Sequence, residues 1–299
     1  MKYLLLYNPV SGKGKFHKKI PYIIKAFKKQ NLLLDIYESK SEKDLTKKAY
    51  SEAKNYDVFL VAGGDGSVNE VLNGIMTSNF RPKLGIFPSG TANDTAAILG
   101  ISRSLKKSLK IIFNNQSVKM DVNQVNDRFF IYTVAAGILT PISYDVDRAL
   151  IKKYGYLAYL RAGLKDLKKD YQIDMEIEHD DGITSGKFMM LLGLSAKRVG
   201  GMNLRRFSRP KLNDGILEIR LFKYKKRSKL KRLIKFFLLQ GLKSKLDIHL
   251  KSSHFKITTS EDVVWNLDGE KGFCGNVEIR VLKENLEVFV SKKTIKKYF

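Results

Sequence analysis

A single cysteine, Cys274, stands in 299 residues. No intramolecular disulfide can form, cysteine-based metal sites are excluded, and the usage fits a reducing cytoplasm. Also missing is any apolar run near the roughly 20 residues that a bilayer-crossing helix needs. The densest, Phe236-Phe237-Leu238-Leu239, stops at Gln240-Gly241. The opening Met1-Lys2-Tyr3-Leu4-Leu5-Leu6-Tyr7 ends at Asn8-Pro9 with no small-residue cleavage site, so it reads as a first strand and not as a leader. The expected location is the cytoplasm, peripheral to the inner face of the cell membrane. Internal repeats and low-complexity segments are lacking too. His17, His179, His249 and His254 are scattered without metal-ligand spacing, which leaves them surface or packing roles.

Acidic residues are scarce: 30 Asp and Glu face 55 Lys and Arg, a formal +25. That balance favours an anionic partner, whether nucleic acid, nucleotide phosphate or an anionic membrane surface. A lysine-rich codon bias that only decorates the surface explains the same count, so charge does not choose the partner. What is present in quantity is core material, 43% apolar residues with 17 Phe and 14 Tyr. The chain is long enough for one large or two ordinary folded domains.

Strand and helix signals alternate through the first 120 or so residues, as in a parallel α/β domain. Strands are expected at Tyr3–Tyr7, Leu32–Tyr37, Val58–Ala62 and Leu84–Phe87. Helical spacing follows in Ile20, Ile23, Ile24 and Phe27, in Glu42–Lys54, and in Val68, Val71, Leu72 and Ile75. Beyond Val122 alternation dominates, predicting a β-rich half with strands at Phe129–Val134, Asp174–Glu178, Gly186–Leu194, Ile216–Phe222, Phe255–Thr259, Val263–Leu267, Val277–Val281 and Leu286–Val290. Helical interludes are expected at about Asp147–Lys169 and Ser228–Leu242. The domains read as 1–122 and 123–285, with 286–299 as a C-terminal segment returning to the first.

The stretch around which this plan turns is Gly63-Gly64-Asp65-Gly66-Ser67-Val68-Asn69-Glu70, directly after a buried strand. In an α/β sheet that edge is where ligands bind. The glycines let backbone N–H groups approach a phosphate, and the following helix adds its positive end. A carboxylate there would repel bare phosphate, so Asp65 is expected to face a cation, and Mg²⁺ is the natural one beside a nucleotide. A tight turn with a solvated Asp is the alternative. Asn8-Pro9-Val10-Ser11-Gly12-Lys13-Gly14 fits neither a Walker A loop, since Tyr7 and Gly14 occupy required places, nor the dinucleotide fingerprint, since His17 stands where Gly is needed. It remains a phosphate-compatible loop or a plain connection.

Taken together, Asn8-Pro9-x-Ser11-Gly12, Gly63-Gly64-Asp65-Gly66-Ser67-x-Asn69-Glu70, Pro88-x-Gly90-Thr91-x-Asn93-Asp94, Lys211-Leu212-Asn213-Asp214-Gly215 and Asp268-Gly269-Glu270 resemble the bacterial diacylglycerol kinase-like lipid kinase family. That family is related to sphingosine and ceramide kinases and distantly to NAD kinases. The resemblance spans nearly the whole chain. It implies a doubly wound α/β nucleotide-binding domain followed by a β-sandwich domain, an active site in the cleft between them, ATP as donor and Mg²⁺ as cofactor. Carried over by position, Asn8, Pro9, Val10, Ser11, Gly12, Gly63, Gly64, Asp65, Gly66, Ser67, Val68, Asn69 and Thr91 would hold ATP, with Ser39 as an addition at the second strand's end. Asp65 would act on Mg²⁺–ATP through water. Asp214, with the carbonyls of Lys211 and Ile216, resembles the family's structural magnesium site, and Glu270 its general base, beside Asp268. Ser67 replaces the usual Thr, Ala92 the usual Gly, Thr95 an apolar residue, and Asn213 a frequent Asp, which removes a charge near the second metal.

The implied reaction is phosphorylation of a membrane-lipid hydroxyl, with diacylglycerol giving phosphatidic acid. Expected partners are the lipid substrate and an anionic membrane surface, without nucleic acid, and a homodimer is compatible. An NAD kinase shares the Gly-Gly-Asp-Gly turn, and a non-catalytic lipid- or nucleic-acid-binding relative is the alternative of another class. In Ser228–Phe237, Leu230, Leu233, Ile234 and Phe237 fall on one stripe flanked by Lys229, Arg232 and Lys235. This suits a helix lying on an anionic bilayer and also one packed on the sandwich.

Overall fold

The structure is a computed structural model, and it describes residues 1–141, 166, 169–207 and 211–299. The helical interlude expected at Asp147–Lys169 lies almost wholly outside the described residues. Two compact units form, Met1–Val122 with Lys283–Phe299, and Asn123–Leu282.

In the first unit, β1 (Lys2–Tyr7), β2 (Leu33–Glu38), β3 (Val58–Gly63) and β4 (Lys83–Pro88) are parallel, in the order β2-β1-β3-β4. The segment ending at Phe289 adds a further parallel neighbour to β4, where Val288 faces Leu84. Alternation sends Tyr3, Leu5, Tyr7, Val58, Leu60 and Ala62 to one face, against Ile23 and Phe27 of α1 (Ile20–Lys29) and Leu109 and Ile112 of α5 (Leu105–Phe113). Leu4, Leu6, Phe59 and Val61 point the other way and are equally buried; α2 (Asp44–Glu52) and α3 (Asp65–Thr77) flank β3 in the chain. These two helices approach so closely that a Cβ on Gly74 would lie 2.4 Å from the Thr46 carbonyl oxygen. Continuous apolar strands covered on both faces are what a doubly wound parallel sheet requires. α4 (Asp94–Ile98) follows β4, and β5 (Ser117–Val125) carries the chain into the second unit.

The second unit is β-rich. Its strands are β6 (Arg128–Phe130), β7 (Thr133–Gly137), β8 (Ile173–His179), β9 (Gly182–Leu194), the short β10 (Arg198–Val199) and β11 (Met202–Asn203), β12 (Leu217–Lys223), β13 (Asp247–Ser252), β14 (His254–Thr258), β15 (Val264–Leu267), β16 (Glu270–Cys274) and β17 (Val277–Phe289). β9 changes partner along its length: Gly182–Phe188 pairs with β8, while Met190–Leu194 lies between β7 and β12. Strands far apart in this order share one core, in which Trp265 of β15, Ile177 of β8, Phe255 of β14 and Ile219 of β12 meet. A sheet whose distant strands enclose one core has curled over on itself, the packing of a sandwich. A second cluster on the outer side of β9, containing Met190, Leu192 and Phe222, is covered by Leu233 and Phe236 of α6 (Lys229–Leu238).

Three expectations are corrected. Phe129–Val134 is two strands, because the N–H groups of Ile131, Tyr132 and Thr133 leave the ladder for the Asp268 carboxylate at 2.6, 2.9 and 3.1 Å. Val277–Val281 and Leu286–Val290 are one strand, bent at Glu284, whose φ is +50° and whose N–H donates to Asp121. On α6, Leu233 and Phe236 face the core with Arg232, while Leu230 and Ile234 face out.

Candidate active site

Three loops leave the carboxyl ends of β1, β3 and β4 and meet. The Asn8 N–H donates to the Ala62 carbonyl at 3.0 Å, and the N–H groups of Ser89 and Gly90 donate to the Gly63 carbonyl at 2.9 and 3.3 Å. Ser11 and Ser89 hydroxyls stand 3.5 Å apart. The loops touch backbone to backbone. A Cβ on Gly90 would sit 2.4 Å from Gly64 Cα, and one on Gly12 only 1.9 Å from the Ser89 carbonyl oxygen, at a φ of +60° that disfavours other residues anyway. Gly63 leaves room for Ser67, whose Cβ would otherwise lie 2.3 Å away.

α3 begins at Asp65, with extended Gly64 before it and no side-chain cap. Its first-turn N–H groups therefore stay available to an anion, with the helix dipole behind them. Asn8 shapes its own loop, its Oδ1 accepting from the Val10 N–H at 3.0 Å. Val10 is exposed. Ser39 lies beside β1, its N–H donating to the Tyr7 carbonyl at 2.9 Å. Next to it the Tyr7 hydroxyl donates to Glu38, and burial together with that carboxylate pushes its pKa up to about 12.

Asp65 does not stand solvated at a turn tip. Its carboxylate reaches back to α4, whose own preceding loop supplies no side-chain cap, and accepts the N–H groups of Asp94 at 3.0 Å and Thr95 at 2.9 Å. Burial raises its pKa despite those two donors, and the nearby Asp94 charge adds to the rise. A carboxyl raised in the fold favours folding below its ordinary pKa, and that contribution is lost as pH rises through the raised value. Asp65→Asn, which keeps one acceptor and cannot titrate, should lose about 1–3 kcal/mol to wild type at pH 4 and less at pH 8. Urea midpoints at the two pH values measure this; a gap that widens with pH would contradict it.

The third loop is held from within. The Gly90 N–H donates to Asn93 Oδ1 at 2.8 Å, and Asn93 Nδ2 returns to the Gly90 carbonyl at 2.7 Å. From outside, Arg103 Nη2 donates to the carbonyl of exposed Thr91 at 2.8 Å. Asn93, Asp94 and Arg103 are thus parts of the site that residue-by-residue reading left off the ligand set. The signal for the first two was the cap-type Asn-Asp pair before a helix; Arg103 had none.

The remaining candidates lie in the second unit. Asp268 and Gly269 form the two-residue turn joining β15 to β16, with Leu267 opposite Glu270 and φ values of +50° and +95°, the signature of a type I′ hairpin. Asp268 is 4% exposed and wholly engaged by its three backbone donors. Those contacts tie the hairpin to the 131–133 segment, a scaffolding part that Asp268 plays beside its expected place next to Glu270. Glu270, just past the turn, is exposed. Asp268→Asn would set an amide against three N–H donors while keeping a side chain tolerant of positive φ, so it should cost about 3–5 kcal/mol. Thermal unfolding checks this; a loss below 1 kcal/mol would remove Asp268 from that role.

Asp214 stands before β12, its Oδ1 accepting the Ile216 N–H at 3.1 Å. Burial raises its pKa, and the Glu218 charge adds to the rise. Lys211 and Ile216 are exposed beside it. Among the described residues no group of three His, Cys, Asp or Glu gathers to hold a metal. A Mg²⁺ here would rest on one carboxylate and backbone carbonyls, oxygen donors of the right hardness. At Asp65 both oxygens already accept N–H groups, so the lone pairs left suit contact through water.

A parallel sheet covered on both faces, with three glycine-bearing loops and a helix amino end at one edge, is the ligand edge of an α/β enzyme. The profile of the diacylglycerol kinase catalytic domain matches residues 2–125. The diacylglycerol kinase of Bacillus subtilis (strain 168) is 32% identical over 292 residues, covering 97% of this chain and 96% of that one. That of Staphylococcus carnosus (strain TM300) is 31% identical over 293 residues, covering 96% and 94%. A crystal structure of a diacylglycerol kinase from Bacillus anthracis str. Sterne superposes with a TM-score of 0.81 at 25% identity over 98% of both chains. The chain belongs to the diacylglycerol kinase family and is a lipid kinase, for which the family implies ATP as co-substrate. No described helix is long and apolar enough to cross a membrane.

Proposed function

We propose that the enzyme transfers the γ-phosphate of ATP, with Mg²⁺, to the free hydroxyl of diacylglycerol, giving phosphatidic acid at an anionic membrane surface. The observation that carries the reading is the contact of the three loops at Gly12, Gly64 and Gly90, with the Gly63 carbonyl accepting from the Ser89 and Gly90 N–H groups. Glycine at each of these places leaves a surface of N–H groups and serine hydroxyls with no side chain between it and a phosphate. Ser11, Gly64, Gly66 and Ser67 bind the phosphates, Asn8, Pro9, Val10, Gly12, Ser39, Val68, Asn69 and Thr91 frame the nucleotide, and Asp65 holds the third loop and orients water toward Mg²⁺. The cation, when bound, neutralises charge on the transferring group. Asp214 with the Lys211 and Ile216 carbonyls would hold a second one, weakened by Asn213 where a carboxylate is frequent. Glu270 orients the acceptor hydroxyl and takes its proton late in a loose transition state, since a carboxylate cannot deprotonate a free alcohol outright. Nucleic acid has no part in this reading, and a homodimer is compatible with it.

Incubation with γ-labelled ATP, Mg²⁺ and a native membrane-lipid extract, followed by mass identification of the labelled product, tests the acceptor. The labelled lipid should be phosphatidic acid, and a chelator should abolish it. A different labelled lipid would displace diacylglycerol.

A further inference from the structure

α6 carries more apolar side chains than its packing uses. Leu233 and Phe236 fill the core beside β9, with Arg232 buried next to them. Leu230, Ile234 and Leu238 are 50%, 46% and 75% exposed. Their i, i+4, i+8 spacing sets them in one row, and at about 100° per residue Lys231 and Lys235 lie alongside it. From Lys223 to Leu246 the chain has ten Lys or Arg and no Asp or Glu.

The inward cations are already neutralised. Arg232 pairs with Asp247 at 2.7 Å and Lys229 with Asp170 at 3.7 Å. Among the described residues the side chains of Lys231, Lys235 and Arg227 make no hydrogen bond or ion pair. The outward face therefore offers an aliphatic row with an unpaired cationic border.

We propose that this face of α6 is the surface by which the enzyme docks on an anionic bilayer, Leu230, Ile234 and Leu238 entering the acyl boundary and Lys231 and Lys235 meeting lipid headgroups. The inference rests on the lipid-kinase reading above, whose substrate resides in a membrane. Charge complementarity selects the occupant. A second copy would bring two cationic faces together, and a nucleic acid would set phosphates against an aliphatic row. An anionic bilayer satisfies both components at once.

Co-sedimentation with vesicles tests this, using phosphatidylcholine alone and equal parts phosphatidylcholine and phosphatidylglycerol. Wild type should bind the mixed vesicles and leave the neutral ones. The triple variant Leu230→Ser, Ile234→Ser, Leu238→Ser should bind at least about tenfold more weakly. Lys231→Gln with Lys235→Gln should lose about fivefold per charge at low salt, with a flatter salt dependence. Both variants should phosphorylate dispersed short-chain diacylglycerol at the wild-type rate, because that substrate needs no bilayer. Undiminished vesicle binding by the triple variant, or none by wild type, overturns the docking face. A wild-type dimer that the triple variant turns into a monomer assigns the face to a second copy instead. Failure of wild type on dispersed diacylglycerol counts against the acceptor reading, while vesicle binding decides the docking face.

Discussion

Glu270→Gln should lower phosphate transfer to diacylglycerol by about 10²–10⁴-fold while leaving ATP affinity and the unfolding midpoint where they are. The expectation follows from how the hairpin is built. Asp268 is spent on the N–H groups of Ile131, Tyr132 and Thr133, and Asn266 Oδ1 accepts the Gly269 N–H at 3.1 Å. These contacts fix a type I′ turn and deliver Glu270 exposed at the first residue of β16. Among the described residues nothing bonds to its carboxylate, so its removal should cost chemistry alone. Glutamine keeps the shape and can still orient a hydroxyl through its oxygen, but it cannot accept the proton. A variant that also loses stability would show Glu270 to be part of the scaffold. Equal rates in variant and wild type would remove it as the base.

Gly90→Ala should have an effect of comparable size on the nucleotide side. The added methyl would sit 2.4 Å from Gly64 Cα and 3.1 Å from Gly64 N. Both neighbours are backbone, so no side chain can swing away, and the β3 and β4 loops must part by about an ångström. Misplacement on that scale commonly costs about 10²-fold in rate. The same shift would disturb the capping of α4 by Asp65, which ties those loops from the other side. ATP affinity by calorimetry should fall about a hundredfold, whereas Gly200→Ala, strained by its φ of +57° but with nothing within 4 Å of its Cβ and no place in these loops, should leave it unchanged. Unchanged ATP affinity in Gly90→Ala would mean that the loops do not form one cradle.

Much of the architecture was legible in the chain. β1, β3 and β4 are continuous apolar runs because both of their faces are covered, and continuous runs before glycine loops identify a parallel sheet and its ligand edge. The elements that escaped depend on contacts between residues far apart in sequence. Asp65 was expected to face a cation, and its part in capping α4 was not legible because the donors it accepts from lie 29 and 30 residues on, in Asp94 and Thr95. The burial of Asp268 was not legible because its three donors lie more than 130 residues earlier. Val277–Val281 and Leu286–Val290 were expected as two strands; instead one strand runs through the residues between them, with Asp121 holding the Glu284 N–H at 2.7 Å. β13 passed unnoticed because Asp247-Ile-His-Leu-Lys-Ser has few β-formers, and its place is set by pairing with β12. Periodicity found α6 but not its orientation, since apolar side chains occur on both its inner and outer arcs.

The most direct test is transfer of labelled phosphate from ATP to diacylglycerol in mixed micelles, with purified enzyme and Mg²⁺, and with NAD as a parallel acceptor. One labelled phosphatidic acid should form for each ATP consumed, with no label in NAD. ATP consumed without labelled lipid, or label appearing in NAD, would contradict this.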